Sequence, residues 1–232
     1  MKKIGILVFA AAIIIGVCVS SLFSFGRVDQ KFFSLSFNKK TKGSGSVAVE
    51  TRDIKGFNGV DASGIFQVEI VAQKDFGVEV EADDNLIPFI NTEVRNGILH
   101  IETKGKLATE NGLKVRISAP DIESIDASGV SKVTLTDLKN AELRVDTSGA
   151  SKIRVTGETG KISVNVSGAS SVDADSLRAE TADVDATGAS RVSVFATGTL
   201  RADASGASKL VYGGDPKNIE KSTTGASSVR EK

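Results

Sequence analysis

The chain has 232 residues, with 29 basic and 29 acidic side chains, so its formal net charge is zero. That balance excludes the basic surplus on which nucleic-acid binding depends. A single Cys rules out an intramolecular disulfide, and a single His leaves little for zinc sites or His-based catalysis. No cofactor is expected.

Lys2 and Lys3 precede an uncharged stretch from Ile4 to Phe25 whose centre, Ile4 to Val19, is apolar throughout. About 20 apolar residues cross a bilayer as a helix, and the flanking cations orient it with the rest of the chain outside. Residues 1–25 therefore predict a signal anchor or a signal peptide. The length of the apolar run favours an uncleaved anchor. The alternatives are cleavage near Leu22 after the small residues Val19 and Ser21, or lipidation at Cys18, where Val17 occupies a position that wants a small residue. Each route exports the remainder of the chain. Residues 26–45 read as a tether, with a Phe32, Phe33, Leu35, Phe37 alternation that suits either a membrane-surface segment or a first strand. Thr41 to Ser46 are expected to be flexible.

Residues 46–230 are expected to form one all-β domain. In its first half, Val68, Ile70, Val78 and Val80 alternate with polar residues, and Asn96-Gly97 reads as a hairpin or tight corner. Asp83-Asp84-Asn85-Leu86 suits one helical turn. Asp61-Ala-Ser-Gly-Ile resembles a motif that recurs later, but it stands 65 residues before the next copy. This half predicts irregular β coils that cover the first edge of a stack.

From residue 126 onward the chain repeats. The segments are Asp126-Ala-Ser-Gly-Val-Ser-Lys, Asp146-Thr-Ser-Gly-Ala-Ser-Lys, Asn165-Val-Ser-Gly-Ala-Ser-Ser, Asp185-Ala-Thr-Gly-Ala-Ser-Arg, Asp203-Ala-Ser-Gly-Ala-Ser-Lys and Ser222-Thr-Thr-Gly-Ala-Ser-Ser. Their glycines are spaced by 20, 19, 20, 18 and 19 residues. Between bends the side chains alternate with period two, as in Leu143, Val145 and Thr147 against Arg144, Asp146 and Ser148, which means strands. One such unit cannot bury its inner face alone, whereas coils stacked in register bury a continuous core. The pattern predicts a right-handed β-helix-like solenoid of about six 19–20-residue coils, with identical side chains in columns. The Ser of each bend, Ser131 through Ser227, is expected to donate to the next coil or back to its own bend.

The acidic column Asp126, Asp146, Asp185 and Asp203 is the candidate surface, together with the cations Lys132, Lys152, Arg191 and Lys209 that lie six residues after each acid. One reading is a calcium ladder or a carboxylate-pair hydrolase. The other is a bend device. Where the acid gives way to Asn165 or Ser222, the cation gives way to Ser171 or Ser228. This co-occurrence predicts acid facing cation across the bend, and a calcium ladder would not place a cation beside each carboxylate. His100 is expected to face outward on a strand. A Ser/Thr-Gly-Ala/Val-Ser bend recurs in every coil and distinguishes no nucleophile, and no nucleophile elbow, phosphate loop or metal-spaced His/Cys cluster is present.

Glu50-Thr-Arg-Asp-Ile-Lys-Gly-Phe-Asn-Gly-Val, Glu81-Ala-Asp-Asp-Asn-Leu-Ile-Pro, Gly97-Ile-Leu-His-Ile-Glu-Thr and Ala119-Pro-Asp-Ile-Glu-Ser-Ile-Asp-Ala-Ser-Gly resemble the bacterial head GIN domain family, labelled an auto-transporter adhesin. The resemblance covers about residues 46–230. It implies a right-handed β-helix-like fold in an exported or surface protein and carries no catalytic residues with it. The expected function is a non-catalytic binding, adhesion or scaffolding module of the envelope, in the periplasm or outside the cell. It would be held at the membrane by its N-terminal helix, with an envelope polysaccharide or surface protein as partner and homo-oligomers as a further option. A polysaccharide lyase or hydrolase using the β-helix groove is the alternative, weakened by the absence of Trp and the single Tyr.

Overall fold

The computed structural model describes residues 40–232. The expected N-terminal helix and most of the tether lie outside the described residues. Among the described residues, no helix is long and apolar enough to cross a membrane. Regular structure here is strand, apart from one 3-10 turn at Ile87–Phe89.

The first half contains β1 (Thr41–Lys42), β2 (Val47–Arg52), β3 (Gly59–Gly64), β4 (Phe66–Val71), β5 (Gly77–Asp83), β6 (Ile90–Arg95), β7 (Ile98–Thr103), β8 (Leu107–Ala108) and β9 (Leu113–Ser118). The repeats form β10 (Ser124–Gly129), β11 (Lys132–Thr147), β12 (Lys152–Val166), β13 (Ser171–Ala186), β14 (Arg191–Ala204), β15 (Lys209–Gly213), β16 (Asn218–Thr223) and β17 (Ser228–Glu231). All but β1 and β8, which pair with each other, belong to one 15-stranded sheet wound into a solenoid.

The repeat strands pair in parallel, motif on motif. Val145 lies beside Val164, Val164 beside Val184, and Val184 beside Ala202. Six bend glycines, from Gly129 to Gly225, delimit five full turns. Gly64 adds a seventh corner, because β3 pairs with β10 letter by letter, Asp61 beside Asp126 and Gly64 beside Gly129. The glycines are needed for two reasons. Each bend glycine from Gly129 on has φ between 74° and 81°, a region costly to any residue with a Cβ. A Cβ on Gly168 would also stand 2.6 Å from the Gly149 carbonyl oxygen. That same oxygen accepts the Ala169 N–H at 2.8 Å, a bond repeated at every bend.

Inside, β-branched, Leu and small side chains stack into an apolar core; Val133, Leu135, Leu143, Val145, Ile153 and Val155 are fully buried. Fully burying a Val or Leu is worth about 1.5–3 kcal/mol, and only stacking makes this gain available to so narrow a coil. The bend Ser side chains from Ser131 to Ser208 are buried too. Both expected roles occur. Ser208 Oγ is within hydrogen-bond reach of its own bend's Ser205 carbonyl, 2.5 Å, and of the Ala186 carbonyl one rung below, 3.1 Å. Ser170 Oγ accepts the Ser151 N–H at 3.2 Å.

The first half departs from the expected irregular coils. β3–β4 is a regular rung, stacked on one side against β10 and the start of β11, and on the other against β7 and β9. The rungs are therefore not in chain order. Beyond β7 and β9, the antiparallel strands β6, β5 and β2 close that end of the stack. Asn96-Gly97, with φ of 52° and 78°, makes the tight hairpin between β6 and β7. The Asp83-Asp84-Asn85-Leu86 segment forms a turn that leads into the 3-10 turn.

Thr41 to Ser46, read as flexible, are instead pinned. β1 pairs with β8. The buried Asp83 carboxylate accepts the Gly45 N–H at 3.1 Å, the Asn111 side-chain amide at 2.6 Å and the Thr109 hydroxyl. A Cβ on Gly43 would overlap this carboxylate.

Among the described residues, no strand covers the opposite end. Every residue of β16 is exposed, Ile219 by 44%. The inward column Leu99, Val60, Ile125, Val145, Val164, Val184 and Ala202 ends there on a cation, Lys221. The Lys221 Nζ donates to the Tyr212 hydroxyl at 2.6 Å and sits 4.3 Å over its ring.

Candidate functional site

The ladder fixes the outward columns as firmly as the inward ones, because side chains of one parity share a face. Before the bend, one column runs His100, Asp61, Asp126, Asp146, Asn165, Asp185, Asp203, Ser222. After the bend, a second runs Lys114, Gln67, Lys132, Lys152, Ser171, Arg191, Lys209, Ser228. The structure thus lines up Asp126, Asp146, Asp185 and Asp203 as expected, and Lys132, Lys152, Arg191 and Lys209 likewise.

It does not bring the two columns together. Among the described residues, no ion pair within 4 Å joins any of these acids to the cation six residues later. The bend turns the two flanking strands onto different faces, so acid and cation point apart. Asp146 is neutralised along its own face instead. Arg144 Nε donates to it at 2.5 Å from two residues back, and the Asn165 amide donates at 2.8 Å from the next rung. Their co-occurrence in sequence therefore marks the repeat unit and not a contact.

The acidic column begins with a pair that sequence reasoning missed. His100 Nδ1 lies 2.8 Å from an Asp61 carboxylate oxygen, with both side chains about one-quarter exposed. The two residues are 39 apart in the chain. The available signal was that Asp61-Ala-Ser-Gly repeats Asp126-Ala-Ser-Gly, which places β3 inside the stack. His100 faces outward, as expected.

Asp61, His100, Ser124, Asp126, Arg144 and Asp146 line an open groove of about 430 Å³. Asp126 sits in its middle with a carboxyl raised above the usual range. Desolvation by its neighbours is the main cause, followed by the flanking Asp61 and Asp146 charges, against which Arg144 pulls weakly. Its side chain still reaches solvent. Among the described residues, no group of three or more His, Cys, Asp or Glu is placed to hold a metal ion.

The bend hydroxyls other than Ser190 are engaged in the ladder, and the Ser190 oxygen is buried without a hydrogen-bond partner among the described residues. Ser63 and Ser128 on the outer face bond each other at 2.9 Å. The arrangement is a β-solenoid that presents two outward charged columns, the acidic one partnered at Asp61 and Asp146 and the cationic one without an ion pair among the described residues.

The family model described as "Putative auto-transporter adhesin, head GIN domain" matches residues 56–216. The chain belongs to this family. Among solved structures, it is similar to one described as a putative adhesin from Bacteroides fragilis, at 19% identity and a TM-score of 0.67, over 82% of this chain and 99% of that one. A second, described as a putative adhesin from Parabacteroides merdae, matches at 16% identity and a TM-score of 0.54, over 83% of this chain and 99% of the other. A third, described as a putative lipid binding protein from Parabacteroides distasonis, matches at 20% identity and a TM-score of 0.51, over 84% and 100%. At these identities the likeness is one of fold. No curated protein matches the chain.

Proposed function

We propose that this protein is a non-catalytic binding or scaffolding module of the bacterial cell envelope, held outside the cytoplasm by its apolar N-terminal segment. The observation that carries this reading is the pair of rigid outward columns. The backbone and inner side chains are consumed by stacking, and what remains free to recognise a partner is a regular array of charges and hydroxyls. The adhesin label of the family and of its structural neighbours points the same way. The apolar run Ile4 to Val19 behind Lys2 and Lys3 supports the tether and the orientation. Protease accessibility on intact cells, against a cytoplasmic control, tests the address.

One observation favours an alternative. Asp126, with its raised carboxyl, is the register neighbour of Asp146, and glycosidases use a pair of carboxyls of which one is raised. Against this, Asp146 is already held by Arg144 and Asn165. The only Tyr is in the core, so no aromatic Tyr or Trp platform faces the groove. A panel of acidic polysaccharides incubated with the full chain, with and without calcium, separates the readings. Binding without chain shortening is expected. Turnover that disappears in Asp126→Asn and Asp146→Asn would overturn the non-catalytic assignment.

A further inference from the structure

In the acidic column His100 lies against Asp61, and Arg144 and Asn165 hold Asp146, while Asp126, Asp185 and Asp203 have no ion partner within 4 Å among the described residues. The cationic column holds no such internal partner. Lys132, Lys152, Arg191 and Lys209 are exposed, and among the described residues none has an ion partner within 4 Å. Lys132 lies directly beside Lys152, and Arg191 directly beside Lys209. Like charges placed opposite each other across adjacent strands are destabilising. The bend does not need them, since Ser171 and Ser228 occupy the same column in the same register.

The column is also single-file. On its corner side stand Val130, Ala150, Ala169, Ala189 and Ala207 at the bend apex, all exposed and uncharged. On its other side the neighbouring outward column holds Thr134, Ser193 and Val211, plus Arg154 and Asp173, which neutralise each other at 2.9 Å. From Lys132 to Lys209 is four rungs, about 19 Å at about 4.8 Å per rung. A row one residue wide and four rungs long suits a chain laid along the rod, whereas a flat membrane would engage a broad patch. Single-stranded nucleic acid sites pair such a row with aromatic stacking platforms, and none of the residues in or beside this row is aromatic.

We propose that the column Lys132, Lys152, Arg191 and Lys209 is the binding strip for a linear acidic polysaccharide. Its carboxylate or sulfate groups would pair with the cations while Ser171 hydrogen-bonds a sugar hydroxyl between them. This rests on the binding reading above and assigns its ligand.

The test uses the full chain in detergent micelles with polygalacturonate as probe. Neutral dextran, phosphatidylserine vesicles and single-stranded DNA serve as comparison arms. Polygalacturonate is expected to bind and dextran is not. Affinity should fall with salt at a log–log slope near −3, from four contacts at about 0.7 each if the single-strand coefficient carries over to this polymer. The variant Lys152→Ser/Arg191→Ser copies residues the column already accepts. It should bind at least about tenfold more weakly, with about half the salt slope. Asp146→Ser/Asp203→Ser, on the other column, should bind at least as tightly as wild type. Unchanged binding in the Lys/Arg variant overturns the strip and leaves the binding module standing. Stronger binding to vesicles or DNA than to polygalacturonate overturns the ligand class. Cleavage of the polymer overturns the non-catalytic reading itself.

Discussion

Gly168→Ala is the sharpest probe of the stacked bends. Two costs arise at this position. The first is conformational: at φ +74° an L-residue pays about 1–2 kcal/mol over Gly. The second is contact with the neighbouring rung. The new Cβ would lie 2.6 Å from the Gly149 carbonyl oxygen and 3.1 Å from its nitrogen. Backbone cannot swing aside as a flexible side chain can, so the rungs must part. That stretches the 2.8 Å bond from Ala169 N–H to Gly149 O, and its neighbours from Ser167 to Thr147 and from Ser171 to Ser151 on the same two rungs. Overpacking of this kind costs about 1–3 kcal/mol, and a lost backbone bond about 0.5–1.5 kcal/mol net. Gly56→Ala is the matched control, because its φ is +78° and nothing lies within 4 Å of its would-be Cβ. Denaturant unfolding followed by far-UV circular dichroism should show a loss of about 3 kcal/mol or more for Gly168→Ala. The control should lose about 1–2 kcal/mol. Equal losses in the two variants would refute the claim that rung contact, beyond dihedral preference, demands glycine.

Ser208→Ala should cost about 1 kcal/mol, because its hydroxyl serves two carbonyls. Ser190→Ala, which deletes the one buried side-chain oxygen without a hydrogen-bond partner among the described residues, should be neutral or stabilising in the same unfolding assay. Lys221→Val should turn the uncovered end into an adhesive apolar rung, and sedimentation velocity should show concentration-dependent association that wild type lacks. Asp83 and Asp126 should respond oppositely to pH. The Thr109, Asn111 and Gly45 donors hold the Asp83 carboxyl below its usual range, so its contribution is present above about pH 4 and fades as pH falls further. Asp83→Asn therefore destabilises at pH 7, by a margin that closes in acid. The Asp126 carboxyl is raised, so its charge opposes folding above about pH 4. Asp126→Asn stabilises at pH 7, and the gain vanishes in acid. Thermal melts at pH 3 and pH 7 check both.

The repeat half was legible in sequence because a solenoid writes its geometry as spacing. A rung that must sit above its counterpart repeats the same bend, and Gly, Ser and the alternating core recur with it. The acidic and cationic columns were legible for the same reason. Their supposed contact was not. Covariation of residues 126 and 132, or 146 and 152, reports only that both belong to one repeat, while the bend sends them to different faces. The partner that Asp146 does have, Arg144, carries no periodic signature, since the same column continues as Ser163 and Asp183. The first half resisted because its contacts are long-range and out of order. Asp61 meets His100 and Asp126 only once residues 98–129 are placed. The pinning of Thr41 to Ser46 depends on Asp83, a carboxylate whose burial no local pattern announces.

The out-of-order rung has a consequence for how the chain acquires its shape during synthesis. Residues 59–71 emerge early, yet both of their neighbours in the stack come from later segments, residues 98–118 on one side and 124–136 on the other. A nascent chain halted before residue 98 holds β3–β4 with no parallel neighbour. One halted at residue 120 holds it bare on the side from which the five turns grow. The early rung therefore cannot complete its pairing until residues 98–136 have been made, and the stack cannot be built rung by rung in chain order.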